Sequence, residues 1–241
     1  MKKINETKNG LVFQADMNYT LANAIRRYLG KIKVLAIDEL EISKNDSPLY
    51  DETIAHRLGL VPIVTPGNVS DSTEKELTLQ SKKEGFVSSG EFKGSAKVVY
   101  ENIPITLLSK GQELNVKAFI RAGKGNDHAK FSPGLMFYNE LMDVKLKNCP
   151  LEAVDICPKG ILENKDGKVI VNEKAKYKGD TCEACVDALK KIGKENCIEV
   201  KPQGELVINL ESFGQLSTKD MFINSIKELK KDLEEVGKGL K

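Results

Sequence analysis

Five cysteines carry the most distinctive chemistry of this sequence, and all of them lie between Cys149 and Cys197. A thiolate is a soft ligand for iron or zinc and a partner in disulfide exchange. Cys157 is followed by Pro158, and Cys182 and Cys185 have C-x-x-C spacing. The two histidines, His56 and His128, are too few for a histidine-rich metal centre. The run GKGNDHAK at Gly123–Lys130 has its glycines and lysines in the wrong order for a phosphate-binding loop, and no G-x-G-x-x-G, H-E-x-x-H or G-x-S-x-G run occurs. Arg26 and Arg27 adjoin each other, His56 precedes Arg57, and His128 lies beside Asp127 and Lys130. None of these stands near a nucleophile or a metal-ligand pattern. A structural or interface role is therefore expected for His56, a solvated face or an interface for Arg26 and Arg27, and partner contact rather than general-base catalysis for His128. No active site is expected.

The cysteine spacing resembles part of a bacterial iron–sulfur motif. Cys157-Pro158 matches the end of a C-x2-C-x2-C-x3-C-P run, whose fourth cysteine ligates the other cluster of a pair. Cys182 and Cys185 match the start of a second run, but its third ligand would fall at Ala188 and its fourth at Ile192. Upstream of Cys157 the corresponding positions hold Ala153, Pro150 and Lys147, out of register with Cys149. Cys157, Cys182 and Cys185 thus remain as candidate ligands of one incomplete site. An iron–sulfur cluster is disfavoured on this count, and zinc, a disulfide or reduced thiols in a degenerate ferredoxin-like fold are the alternatives.

The elements that must position these groups are those of an ordinary globular protein. In 241 residues, 40% are apolar and 30% charged, which excludes wholesale disorder and allows a substantial core. The 37 Lys+Arg against 35 Asp+Glu give a formal +2, without the broad basic excess of a nucleic-acid binder. MKKINETKNG has no apolar run behind its lysines, and the longest apolar stretch, Leu58–Val64, is interrupted by Gly59 and Pro62. Neither a signal peptide nor a membrane span is expected, so the chain reads as soluble and cytoplasmic.

Alternation of Leu11, Phe13 and Ala15 predicts a strand at Gly10–Asp16. Asn18 or Thr20 can cap a helix to about Leu29, with Leu21, Ile25 and Tyr28 or Leu29 as its apolar stripe and Gly30 as a left-handed terminator. Strands are expected at Lys33–Ile42, Lys97–Tyr100, Leu114–Arg121 and Glu205–Leu210, with a short helix from Asp51 through Leu58. Pro66–Gly94 reads as exposed and loop-rich, with only a weak strand around Leu77–Leu79, and Ala122–Pro133 as a loop. KDGKVIV at Lys165–Val171 signals a hairpin, and a helix is expected near Cys182–Ile192.

The chain closes on a long amphipathic helix, entered through capping-box spacing of Ser217 and Asp220. Phe222, Ile226, Leu229, Leu233, Val236 and Leu240 recur at intervals of 4, 3, 4, 3 and 4, with Gly237 expected to fray the end. Such a stripe must cover something, either the chain's own sheet or a similar helix of a partner; the heptad-like period favours the partner.

Four segments now make a resemblance specific. Leu21–Ile42 (LANAIRRYLGKIKVLAIDELEI), Tyr50–Ile63 (YDETIAHRLGLVPI), Gly123–Pro133 (GKGNDHAKFSP) and Ile208–Leu233 closely resemble the D-subunit family of archaeal DNA-directed RNA polymerase, in the expected order. That family is similar to the N-terminal part of the bacterial alpha subunit. The resemblance implies an α+β fold with a discontinuous dimerisation domain, residues 1–47 and 203–241. It also implies an inserted mixed α/β platform at 48–147 and an added ferredoxin-like domain at 148–202, here with incomplete cysteine motifs. It implies a non-catalytic assembly subunit that heterodimerises with the small subunit L and nucleates assembly of the two large catalytic subunits. The final stripe would meet subunit L; Leu21, Ile25, Arg26, Arg27, His56, Arg57, His128 and Lys130 would lie on docking surfaces. No sequence-specific DNA contact and no membrane contact is implied. The competing expectation is an iron–sulfur redox or electron-carrier protein built on the cysteine segment.

Overall fold

The computed structural model describes residues 1–67, 69–157, 160–172 and 181–240, without the side chains of residues 181–183 and 195. It is a mixed α+β structure in two compact units. The first comprises Met1–Thr7, Leu11–Asn23 and Met136–Asn209, and the second Lys8–Gly10, Ala24–Leu135 and Leu210–Lys241.

In the first unit, β1 (Lys2–Glu6) and β2 (Gly10–Ala15) form an antiparallel pair. The sheet continues through β12 (Ile198–Ser212) to β9 (Gly134–Leu146), in the order β1-β2-β12-β9. Leu11, Phe13 and Ala15 are buried, as their alternation requires. Asn18 accepts a hydrogen bond from the Leu21 amide at 2.8 Å and so caps α1 (Tyr19–Tyr28). The cysteine segment supplies α3 (Glu152–Ile156), the hairpin β10 (Leu162–Lys165) and β11 (Lys168–Val171), and α4 (Thr181–Lys191). Asp166 and Gly167 both take positive φ between β10 and β11, the geometry of a two-residue hairpin turn. Ala153, Ile161, Leu162, Leu189 and Ile198 form a core here with Cys157, Cys185 and Cys197.

The second unit is built on a sheet ordered β3-β8-β4-β6: β3 (Lys33–Asn45), β8 (Leu114–Lys124), β4 (Glu74–Ser81) and β6 (Lys93–Gly94). A two-stranded ribbon pairs β5 (Gly85–Ser88) with β7 (Pro104–Leu108). The helix α2 (Asp51–Gly59) packs on β3 and β7 through Ile54 and Leu58, both fully buried. Leu35, Ile37, Leu77, Leu79, Val116 and Ile120 belong to the same core, where burying each such side chain is worth about 1.5–3 kcal/mol. The chain ends in α5 (Thr218–Gly239).

Several elements differ from the sequence expectation. Pro66–Gly94 holds β4, β5 and β6, because Leu77, Leu79 and Ser81 alternate inward while Glu76, Thr78 and Gln80 point outward. Lys97–Tyr100 is not a strand; Val98 makes a single bridge to Ile63. Asp51 is the first residue of α2 and the cap position is Tyr50. Gly30 does not take the left-handed conformation but lies in a 3-10 turn, Leu29–Lys31. A Cβ on it would meet Asn126 Oδ1, so a larger residue there would require the Asn126 side chain to shift. β8 runs on to Lys124, so the expected loop starts later, and α5 continues through Gly237.

Candidate functional site

Ser217 starts α5: its hydroxyl accepts the Asp220 amide hydrogen bond at 3.1 Å and donates to the Asp220 carboxylate at 2.6 Å. The heptad-like stripe then divides. Phe222 is only 8% exposed and buried like Met221 and Ser225, and Leu229 is half-buried. Ile226, Leu233 and Val236 are 39%, 62% and 62% exposed, joined by Ile223 and Leu240. Ile223 escapes the sequence pattern because it lies outside the 4-3-4 series, although it stands one turn from Ile226.

One carboxylate fixes α5 against the end of α1. Asp232 accepts a 2.9 Å hydrogen bond from the Tyr28 hydroxyl and an ion pair from Lys31, whose ammonium lies 4.4 Å from the Tyr28 ring centroid. These hydrogen bonds, that from Lys31 first, hold Asp232 below the usual carboxylate range, and the Lys31 ammonium is raised in turn by its bond to Asp232. Along α1 itself Ile25 is buried, while Leu21, Arg26 and Arg27 are exposed.

The two histidines meet at one place. His56, on α2, and His128 line an open depression of about 170 Å³ together with Lys130 and Asp38. His128 caps a 3-10 turn, Ala129–Phe131, its Nδ1 accepting the Lys130 amide at 3.1 Å. Lys130 is nearly enclosed, with a side chain 14% exposed, and its Nζ reaches the Asp38 carboxylate at 2.5 Å. Asp38 is presented by a bulge: β3 and β8 pair Ile37 with Ile120 and Glu39 with Phe119, which leaves Asp38 without a partner in the ladder. Arg121 lies 3.6 Å from the same carboxylate and 2.8 Å from Glu39. The glycines of GKGNDHAK have a packing role, since a Cβ on Gly123 would fall 2.6 Å from the Phe131 ring. Arg57 turns away from the depression and donates to the Pro104 carbonyl at 2.6 Å. His56, His128 and Lys130 are therefore brought together, and Arg57 is not.

Among the described residues, Cys149, Cys157, Cys185 and Cys197 are arranged for packing rather than for ligation. Cys157 and Cys185 form a disulfide with a Cα–Cα distance of 4.9 Å, both inside the core of the first unit. Cys149 donates through its thiol to the Cys197 carbonyl at 2.8 Å. Burial, then the interaction with Cys197, pushes the Cys149 thiol up to about 12, so it stays protonated at neutral pH. Cys182 lies on α4, with its side chain outside the described residues, as are Pro158 and Lys159 of the motif. The donor set does not fit an iron–sulfur cluster: two of its three candidate thiolates are bonded to each other. Among the described residues, no group of three His, Cys, Asp or Glu side chains is placed to hold a metal ion. No helix among them is long and apolar enough to cross a membrane.

Known proteins share this arrangement of sequence. Residues 40–136 match the RNA polymerase Rpb3/RpoA insert domain. DNA-directed RNA polymerase subunit Rpo3 of Thermococcus kodakarensis is 34% identical over 225 residues, covering 86% of this chain and 84% of the relative. Subunit Rpo3 of Methanobrevibacter smithii is 28% identical over 93% of this chain and 92% of its own length. That of Pyrococcus furiosus reaches 40% identity over 51% of each. Matched over most of its length in this way, the chain belongs to the family of subunit Rpo3 of archaeal DNA-directed RNA polymerase.

Proposed function

We propose that this chain is a non-catalytic assembly subunit of DNA-directed RNA polymerase, joining a small subunit of type L through the outer face of α5. The observation that carries the reading is that face: Ile226, Leu233 and Val236 stand out from a capped helix of 22 residues. An apolar stripe of this length on one side of a helix packs against a core, and the part of it left exposed marks an interaction site. The exposed arginines Arg26 and Arg27 on α1, with Leu21, and the depression of His56, His128 and Lys130 are the surfaces offered to the two large catalytic subunits. Arg57 supports that second surface through its bond to the Pro104 carbonyl, and Ile25 anchors α1. On this reading residues 1–47 and 203–241 form the dimerisation domain, 48–147 the inserted platform and 148–202 the ferredoxin-like addition. The work is done by binding, and none of the residues is asked to make or break a bond.

The direct test is co-expression with a small subunit. The pair Ile226→Glu and Leu233→Glu places two charges on the outer face without touching the buried side, where Phe222 lies. Each loss of burial costs about 1.5–3 kcal/mol, so the affinity should fall at least a hundredfold and co-purification should cease. An unchanged yield of heterodimer from that variant removes α5 from the interface.

A further inference from the structure

A second surface of the second unit has a chemistry that the apolar stripe does not account for. Beside α5 a groove of about 520 Å³ is walled by Lys33, Lys124, Lys227 and Lys231, over a floor that includes Ile32 and Val69. In a chain whose total charge is only +2, this concentration of cations is local. Four lysines face two carboxylates, Glu228 in the wall and Asp71 at the edge.

Asp71 shows what these lysines accept. Its carboxylate stands 2.7 Å from Lys33 Nζ while remaining largely open to solvent. The Lys33 hydrogen bond, foremost, and then the charges of Lys33, Lys124 and Lys231 hold Asp71 below the usual carboxylate range. A carboxylate from another chain entering the groove meets the same field.

We infer that the groove of Lys33, Lys124, Lys227 and Lys231 is a docking site for an acidic peptide segment of a partner protein, in which glutamates or aspartates alternate with an apolar residue. The composition of the walls separates this occupant from a nucleic acid. Among the described residues, the lining has neither an arginine to clasp a phosphate by two bonds nor an aromatic ring on which a base could stack. Val69, half-buried over the buried Ile32, gives an apolar side chain of a peptide a place to rest. The lysines are compact point charges on flexible stems, suited to carboxylates whose positions vary along an extended segment.

The test uses the full chain and a short fluorescein-labelled peptide alternating glutamate with leucine, read by anisotropy. Three controls accompany it: the same peptide with glutamine in place of glutamate, an oligothymidylate of equal charge, and the Ile226→Glu/Leu233→Glu variant. The acidic peptide should bind, and the Lys227→Glu/Lys231→Glu variant should bind it about tenfold more weakly or worse, with an unchanged circular dichroism spectrum. Affinity should fall as salt is raised, and NMR shifts should gather at Lys33, Val69 and Lys124. The Ile226→Glu/Leu233→Glu variant should bind the peptide as the parent does, which keeps this proposal separate from that of the dimer face. Equal binding of the glutamine peptide, tighter binding of the oligothymidylate, or loss in the Ile226→Glu/Leu233→Glu variant alone would overturn the assignment.

Discussion

The histidine depression of the second unit and the cysteine core of the first are both clusters of side chains able to ligate, yet they have opposite fates. His56 and His128 stand exposed at the rim of an open hollow, with a lysine and a carboxylate already paired beneath them. Cys157, Cys185 and Cys197 are buried among Ala153, Ile161 and Leu189, and two of them are bonded to each other. The first cluster leaves its polar chemistry open to solvent, whereas the second has turned its chemistry into cohesion. The type of a residue therefore says less about its use than its burial and its nearest neighbour.

The contrast can be broken most forcefully at the disulfide. Closing a loop with a sequence separation of 28 residues contributes about 3–4 kcal/mol by the chain-entropy estimate. Cys157→Ser should accordingly lower the melting transition of the cysteine region by an amount that added reductant reproduces in the parent and does not deepen in the variant. If reductant leaves the parent's transition where it was, the bond does not hold this core. A peptide map without reduction should recover the Cys157 and Cys185 peptides as one linked species.

A smaller effect is expected at the depression. Gly123→Ala would push a methyl group into the Phe131 ring and displace the turn that His128 caps, at a cost of about 1–3 kcal/mol. Chemical denaturation should show that loss, and if the depression docks a large subunit as proposed, crosslinking yields from His128 should fall with it. Unaltered stability would mean that the turn gives way more readily than the close contact suggests.

The smallest effect sharpens the comparison from the cysteine side. Below its ordinary value of 9.0 the Cys149 thiol is protonated in folded and unfolded chains alike. Between that value and about 12 only the unfolded chain ionises, so its contribution to stability declines as pH rises through this window. Iodoacetamide should thus modify Cys149 slowly at pH 8 and fast only after unfolding, as followed by mass spectrometry. Rapid labelling in the folded chain would show a thiol exposed to solvent and able to act.

Much of this is legible in the residues. The final helix, its Ser217 cap and the hairpin at Asp166-Gly167 are all signalled by local spacing, because helix caps and two-residue turns are decided within a few positions. Which members of the stripe face inward is not legible: Phe222 and Ile226 have the same chemistry, and only the orientation of α5 on its unit separates them. β4 reads too weakly because its outward residues are Glu, Thr and Gln, although Leu77 and Leu79 carry the alternation. β1, β7 and β9 escape the pattern; β1 is a polar strand whose place depends on β2 rather than on any apolar pattern of its own. His56 and His128 line one depression from α2 and from a turn far along the chain, and no local pattern encodes a proximity of that range. The Asp38 bulge is hidden for the same reason, since register is a property of two strands.

The clasp at Asp232 has a kinetic consequence. Tyr28 and Lys31 bond the same carboxylate from the end of α1, which ties α5 at that point and opposes its rolling about its axis. If the outer face of α5 is the dimer face proposed above, it is already aimed before any encounter, and less rotational freedom is left to surrender when contact is made. Association on such a rigid edge should be limited by collision and orientation of the incoming chain rather than by rearrangement of this one.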